Sequence, residues 1–409
     1  MVLGNVMVGQ SGGPTSVINA SLVGVFKTAR DSGCKRVFGM RNGIEGLLEE
    51  RYVDLSDYIK NDLDIELLKR TPSSFLGTCR YKLPSAEKAP EVYERIFDIL
   101  KRLGVEYFFY IGGNDSMDTI MQLSLYAERI GSLIRFMGVP KTIDNDLAQT
   151  DHTPGYGSAA KYIATAMKEI IRDAKTYPTD SVTVAEIMGR NAGWLTAAAA
   201  LSLAEDCSGP DLIYLPERVF DRESFLNDVM ELKKRKKAVI IAVSEGIKTS
   251  DGSYVCEAGR KNIIQDSFGH KLLGGTALYL SNYLSDRTGI KSRGIVFSTL
   301  QRCASHLVSR RDITEAFMAG ADAAVAALNG ATGSMIAFKR ISNAPYSIVT
   351  ELCDIREIAN KEKCVPDEWI TNDGTYVSEE FLEYARPLII GELSPFMVDG
   401  LPRHLFIDK

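Results

Sequence analysis

The chain has 409 residues, with 48 Lys plus Arg against 53 Asp plus Glu and only four His, for a net charge of −5. That balance argues against a protein living on nucleic-acid phosphates, and four imidazoles leave little room for a His-rich metal site. An apolar content of 45% with 25% charged residues is a globular mix, and at roughly 150 residues per domain the length predicts about two or three domains.

Val2 to Gly9 reads as a first strand, not a signal peptide, because it lacks a basic leader and runs straight into the glycine loop Gln10–Pro14 (QSGGP). A helix is expected from Ser16 to about Gly33 and a strand over Lys35–Met40. Glu87–Leu103 has helical periodicity through Val92, Ile96, Ile99, Leu100 and Leu103. A strand over Tyr107–Ile111, a second glycine loop (GGNDS), a helix from about Met117 to Ile130 and a strand over Leu133–Val139 follow. The alternation then restarts. Strands are expected at Ser181–Met188, Leu212–Leu215, Ala238–Ser244, Ile295–Thr299 and Ser334–Phe338, and helices at Asn191–Ala204, Ser224–Lys237 and Asp312–Leu328. Continuous apolar strands alternating with amphipathic helices indicate parallel sheets covered on both faces, here in two α/β domains with a cleft between them. After Ser342 the pattern is less regular, with turns at Asn343-Ala344-Pro345 and Asn372-Asp373-Gly374.

The basic run Lys233–Lys237 reads as a solvated helix end that complements the helix dipole. Seven singly placed cysteines without a C-x-x-C pair support neither a zinc nor a thioredoxin-like site and suit free thiols in a reducing cytoplasm. No run approaches the roughly 18 apolar residues of a membrane span.

Chemistry concentrates at strand ends. Glycines in Ser11-Gly12-Gly13-Pro14 let backbone N–H groups approach an anion at a helix start, although a plain tight turn has the same composition. Gly112-Gly113-Asn114-Asp115-Ser116 repeats the arrangement, and two such loops point to one crevice. Asp115 repels a phosphate unless Mg²⁺ intervenes or it limits ligand size; its other reading is a first-turn carboxylate facing the helix dipole. In Pro140–Leu147 (PKTIDNDL), Asp144 and Asp146 point the same way if the segment is extended, beside Lys141 and Thr142. One can act as base while the other faces a metal; an Asx-turn cluster is the alternative. Arg80, Arg190, Arg293 and Arg302 lie beside glycines or strand ends, where guanidinium forks can hold phosphate oxygens, though each singly also fits a surface charge. Glu245, after a strand, can accept hydrogen bonds from a sugar hydroxyl.

Together and in this order these motifs resemble the phosphofructokinase superfamily. SGGP resembles its first glycine loop, GGNDS its GGDGS or GGDDS, and PKTIDNDL the form found in pyrophosphate-using members, where ATP users carry GTIDND. Met188-Gly189-Arg190, Glu245-Gly246 and Leu300-Gln301-Arg302 complete the set, which runs from about Val2 to Phe338. The resemblance implies two Rossmann-like three-layer α/β domains with the active site between them. Residues 1–155 plus about 302–340 would form a phosphoryl-donor domain. Residues 156–301 plus part of about 341–409 would form a sugar-phosphate domain.

The resemblance also implies a phosphotransferase with an alcohol acceptor. It would carry a phosphoryl group reversibly from pyrophosphate to the 1-hydroxyl of fructose 6-phosphate, with Mg²⁺ as cofactor, in a homodimer or homotetramer. No nucleic-acid or membrane partner is expected. By the resemblance Asp144 is the base, and Thr142 and Asp146 support it and the metal-bound phosphate. Lys141, Gly13, Arg80 and Asp115 hold the donor. Thr142, Ile143, Asp144, Met188, Gly189, Arg190, Glu245, Arg293 and Arg302 line the sugar-phosphate site, and Asn114 and Asp146 face the metal.

Donor choice can be argued physically. Asp115 stands where ATP users have glycine, so it fills the space of the nucleotide and repels its α-phosphate. Lys141 also replaces a glycine, and its ammonium can neutralise the leaving phosphate. Three positions depart from the family pattern. Asn114 replaces an Asp that helps hold Mg²⁺, so the metal would lean on Asp115, Asp146 and pyrophosphate oxygens. Ser181 stands where many ATP users place an arginine donated across a subunit interface, with Arg310 and Arg311 the candidate substitutes. Thr299 replaces a histidine or aromatic residue, which leaves larger sugar phosphates open. The alternatives are an ATP-dependent 6-phosphofructokinase and a non-catalytic subunit of the same fold.

Overall fold

The computed structural model describes residues 3–259 and 273–407. Eleven of its strands build two main sheets: β1 (Asn5–Gln10), β2 (Val37–Met40), β3 (Tyr52–Asp54), β4 (Val105–Gly112), β5 (Arg135–Pro140), β6 (Ser181–Ile187), β7 (Leu212–Tyr214), β8 (Ala238–Ser244), β9 (Lys291–Val296), β10 (Ser334–Asn343) and β11 (Tyr346–Asp354). The first sheet has the order β11-β10-β5-β4-β1-β2-β3, parallel except for the antiparallel edges β3 and β11. The second, β7-β8-β6-β9, is parallel throughout.

The apolar run in β4 shows why the first sheet is covered on both faces. Tyr107, Phe109 and Ile111 pack with Leu22, Val25 and Ala323, from the helices Ile18–Asp31 and Arg310–Leu328. Phe108 and Tyr110 turn the other way, onto Ile96 and Ile120 from the helices Pro90–Arg102 and Asn114–Ile130. Strand alternation thus divides one apolar segment between two cores. Close approach of the helices Ile18–Asp31 and Arg310–Leu328 requires glycine at 320, since a Cβ there would sit 2.0 Å from the Ser21 carbonyl oxygen.

Several elements differ from the sequence reading. The helices Tyr156–Ala174 and Thr276–Thr288 were not foreseen, and both have glycine before their first residue. Their caps come from distant carboxylates. Asp312 accepts from the Gly155 and Ser158 N–H groups at 2.9 and 2.8 Å. Glu186 accepts from Gly275 and Ala277 at 3.0 and 2.9 Å. The local N-cap signal is therefore missing from the sequence. The Ala-rich stretch expected to be one helix is a short α-turn, Trp194–Ala197, followed by the 3₁₀ turn Ala198–Ser202. Strand β9 lies upstream of the expected Ile295–Thr299 because it is a half-exposed edge strand, not an apolar run. Chain beyond Ser342 contributes β11, paired antiparallel with β10. Among the described residues no helix is long and apolar enough to cross a membrane.

A buried polar cluster joins this tail to the first half. His152 Nδ1 lies 2.8 Å from Asp151 Oδ1 and its Nε2 2.8 Å from Glu315 Oε2. Arg340 donates to Asp151, the Tyr346 hydroxyl to Glu315, and the Tyr384 hydroxyl to the Asp151 carbonyl. Burial opposes charge on His152, but Glu315 and Asp151 outweigh it and raise its pKa. Burial likewise works against the Asp151 carboxylate, yet His152 and Arg340 hold its pKa at about 2. A raised histidine pKa contributes stability that is complete below the ordinary value of about 6.5 and is lost as pH rises through the folded value. The stability advantage of wild type over His152→Gln, read by urea unfolding, is therefore largest near pH 6 and shrinks towards pH 9. A constant difference would show that His152 is neutral throughout.

Candidate active site

The carboxyl ends of β1, β4 and β5 meet those of β6 and β8 across a cleft. After β1 the chain turns with Gly12 at φ +75°. The Ser11 N–H donates to the Ile111 carbonyl at 3.0 Å, and Thr78 Oγ1 donates to the Gly12 carbonyl at 2.6 Å. The bare side of this loop faces two cations. A Cβ on Gly12 would lie 3.3 Å from Lys141 Nζ, and one on Gly13 3.4 Å from Arg302 Nη1. Lys141 donates from Nζ to the Gly13 carbonyl at 2.7 Å and from its backbone to the Gly112 carbonyl at 3.0 Å. Its side chain is fully buried. Burial lowers its pKa to about 8 against the pull of Asp144 and Asp146, so it stays mostly charged at neutral pH.

The segment after Lys141 is a turn. Thr142 Oγ1 accepts from the Asp144 N–H at 3.1 Å, and Asn145 takes the left-handed conformation at φ +56°. Asp144 and Asp146 are thus not alternate residues of an extended strand, as expected, but flank a bend. Asn145 locks that bend, its Oδ1 accepting from the Thr153 N–H at 3.0 Å and its Nδ2 donating to the Tyr384 hydroxyl at 2.8 Å. Burial raises the Asp144 pKa, opposed by Lys141, Arg190 and Arg302. Burial and then Asp144 push Asp146 up to about 7.

Across the cleft, Gly189 follows β6 at φ +141°, where a Cβ would come within 2.6 Å of the Ala192 carbonyl oxygen; only glycine fits. Ser244 Oγ donates to the Gly189 carbonyl and accepts from the Gly246 N–H, which ties the Arg190 loop to the end of β8. Met188 N–H donates to Gln301 Oε1 at 3.2 Å. Beside them lies a cavity of about 360 Å³ lined by Glu186, Met188, Glu245, Gly275, Ser298 and Gln301. Burial, then Asp144 and Glu186, raise the Glu245 pKa to about 7. Burial and then Arg80 disfavour the charge on Arg302, while Asp144 and Glu245 both favour it, so the Gly12-Gly13 loop, the aspartates and Glu245 form one electrostatic unit.

The family model for phosphofructokinase matches residues 5–327. The chain belongs to the phosphofructokinase family. It is 40% identical to the pyrophosphate–fructose 6-phosphate 1-phosphotransferase of Halomonas elongata, over 98% of this chain and 95% of the relative. It is 39% identical to the enzyme of the same name from Methylococcus capsulatus, over 99% and 96%. The crystal structure of a pyrophosphate-dependent phosphofructokinase from Nitrosospira multiformis superposes with a TM-score of 0.88 at 36% identity, covering 98% of this chain and 95% of that one. The two parallel-sheet α/β layers are thus the phosphofructokinase fold.

In this phosphofructokinase the structure gathers Gly13, Lys141, Thr142, Asp144, Asp146, Arg190, Glu245 and Arg302 around the cleft. Ile143 is buried beneath them, and Arg80 is close enough to Arg302 to disfavour its charge. Asp115 is exposed at the second residue of the helix Asn114–Ile130.

Two expected site residues stand elsewhere within the single chain. Arg293 is an exposed residue of the edge strand β9, 3.8 Å from Asp173 near the far end of the helix Tyr156–Ala174. Asn114 is engaged by the tail: its Oδ1 accepts from the Asn360 N–H at 2.5 Å and its Nδ2 donates to the Lys361 carbonyl at 2.7 Å. Its amide therefore faces backbone, not a metal. Ser181 opens β6 at the end away from the cleft. Arg310 and Arg311 are also taken up within the chain, Arg310 Nε by the Glu392 carbonyl and Arg311 over the Tyr346 ring at 4.2 Å. Thr299 is exposed, its carbonyl accepting from the Arg302 N–H at 3.2 Å.

No group of three or more His, Cys, Asp or Glu among the described residues forms a closed metal cage. Asp146 Oδ1 is nevertheless buried without a hydrogen-bond partner. One open carboxylate oxygen suits Mg²⁺, which is held through one or two carboxylates, water and substrate phosphates. Glu186 and Ser244 were not singled out from sequence, and Gln301 entered only as part of the Leu300-Gln301-Arg302 motif. Of the first two only Glu186 left a signal, a carboxylate inside the apolar strand SVTVAEI.

Proposed function

We propose that this phosphofructokinase transfers a phosphoryl group reversibly between pyrophosphate and the 1-hydroxyl of fructose 6-phosphate, giving fructose 1,6-bisphosphate and orthophosphate. The observation that carries the reading is the buried Lys141 ammonium bonded to Gly13, opposite Arg302, with Asp144 beside it. A side-chain-free loop between two cations suits a small, highly charged donor. Asp115 at the mouth opposes the larger, anionic nucleotide. We further take 1–155 plus about 302–340 as the donor half and 156–301 with part of the tail as the sugar half, in a cytoplasmic homodimer or homotetramer.

In the forward direction the 1-hydroxyl oxygen bonds to the near phosphorus as the bridging P–O bond of pyrophosphate breaks. Asp144, its pKa raised by burial, takes the hydroxyl proton. Thr142 holds the Asp144 backbone through its hydroxyl and so fixes the base. Lys141 and Arg302 neutralise the transferring group and the orthophosphate that leaves. Arg190 and Glu245 hold the sugar phosphate. Asp146, with its open Oδ1, would hold Mg²⁺, which when bound would further neutralise the transferring phosphoryl group.

The reverse direction tests the reading: with fructose 1,6-bisphosphate and orthophosphate, ³¹P NMR shows pyrophosphate accumulating. An enzyme that forms none, but releases ADP when given ATP, contradicts it. The steric part has its own check. Asp115→Gly, alone and with Lys141→Gly, raises ATP-dependent turnover about tenfold or more over wild type by relieving clash and like-charge repulsion. Unchanged donor preference in both variants removes Asp115 as the discriminator.

A further inference from the structure

Residues 334–407 lie beyond the stretch that the family model matches. Within them, Asn360–Val365 crosses the cleft and bonds to the loops after β4, β5 and β6. At one end are the Asn114 contacts described above. In the middle, the Lys363 N–H donates to the Asp146 carbonyl at 2.8 Å. The Lys363 ammonium donates to the Thr150 and Asp151 carbonyls at 2.9 and 2.8 Å. These hold the aspartate loop. On the other side, Glu362 Oε1 accepts from Asn191 Nδ2 at 3.1 Å, and the Lys363 carbonyl accepts from Trp194 Nε1 at 2.8 Å. The Val365 N–H donates at 3.0 Å to Glu217 Oε1, which also accepts from the Gly193 N–H at 2.8 Å. These hold the Arg190 loop.

Burying an ammonium to fill space is costly, and an apolar side chain would pack as well. What the Lys363 ammonium adds is direction, two hydrogen bonds to the Thr150 and Asp151 carbonyls, while its backbone N–H and C=O bond to Asp146 and Trp194 on opposite walls of the cleft.

We propose that Asn360–Val365 is a positioning strap for phosphoryl transfer, fixing the loop of Asp144 and Asp146 against the loop of Arg190. The strap sets the separation between the proton acceptor and the arginine that holds the sugar. It rests on the assignment of those two loops to catalysis and sugar binding. Phosphoryl transfer depends almost wholly on positioning and electrostatics, and a 1 Å misplacement can cost about 100-fold. Lys363 touches no reacting atom: its backbone acts through Asp146 and Trp194, and its ammonium through the Thr150 and Asp151 carbonyls that anchor the aspartate loop.

The test uses the full chain, assayed first as wild type with pyrophosphate and with ATP, so that a wrong donor assignment shows before any variant is read. With whichever donor turns over, Lys363→Met lowers kcat about thirtyfold while KM for the sugar phosphate stays within about threefold, and Lys363→Arg recovers part of the loss. Asn191→Ala, on an exposed residue, lowers kcat several-fold without a change in Tm. Wild-type kcat in a folded Lys363→Met protein overturns the strap, as does a loss that tracks Tm and is not rescued by arginine. If Lys363→Met does not fold, wild-type kcat in Asn191→Ala overturns it. A wild type inactive with both donors refutes the strap and the phosphotransferase reading together.

Discussion

Asp144→Ala lowers kcat by about 10² to 10⁴-fold, the range for loss of a positioned general base, while fructose 6-phosphate still binds by calorimetry. The expectation follows from the environment of the residue. Burial raises its pKa, which makes its carboxylate a stronger base, while Lys141, Arg190 and Arg302 oppose the rise. Alanine removes the acceptor but leaves Arg190, Glu245 and the cavity beside Met188 in place. Loss of sugar binding in parallel with kcat would assign Asp144 to the binding site and leave the base unidentified.

Lys141→Met has the second large effect. The side chain is fully buried, so methionine conserves volume and packing while removing the charge. By analogy with removing one preorganised donor at a developing charge, kcat falls about 10² to 10³-fold. The substitution also removes the group that most opposes burial at Asp144. The Asp144 pKa therefore rises further, and the acidic limb of the pH–rate profile moves to higher pH. Steady-state kinetics in pyrophosphate across pH 5 to 9 read both effects. An unmoved acidic limb would contradict the coupling between Lys141 and Asp144.

What the sequence made legible were features whose cause is local. Phe108 to Ile111 announce a doubly covered strand because alternate residues face two cores. The PKTIDNDL segment announces its chemistry because base, threonine and lysine are neighbours in the chain. What escaped has a distant cause. The helices Tyr156–Ala174 and Thr276–Thr288 are capped by Asp312 and Glu186, far away in sequence, so neither carries its own start signal. Asn114 looked like a metal ligand because its partners, Asn360 and Lys361, lie about 250 residues on. Arg293 stands on an exposed edge strand of the single chain, a place that a lone arginine near a glycine does not announce. Extended geometry for Asp144 and Asp146 failed on Asn145, whose left-handed φ is set by Thr153 and Tyr384.

The central claim is that the Lys141–Gly13–Arg302 cradle takes pyrophosphate as donor. It is tested most directly by kcat/KM for pyrophosphate and for ATP on the same purified protein, at saturating fructose 6-phosphate and Mg²⁺. Turnover with pyrophosphate and little or none with ATP is the predicted result; efficient turnover with ATP and none with pyrophosphate would contradict it.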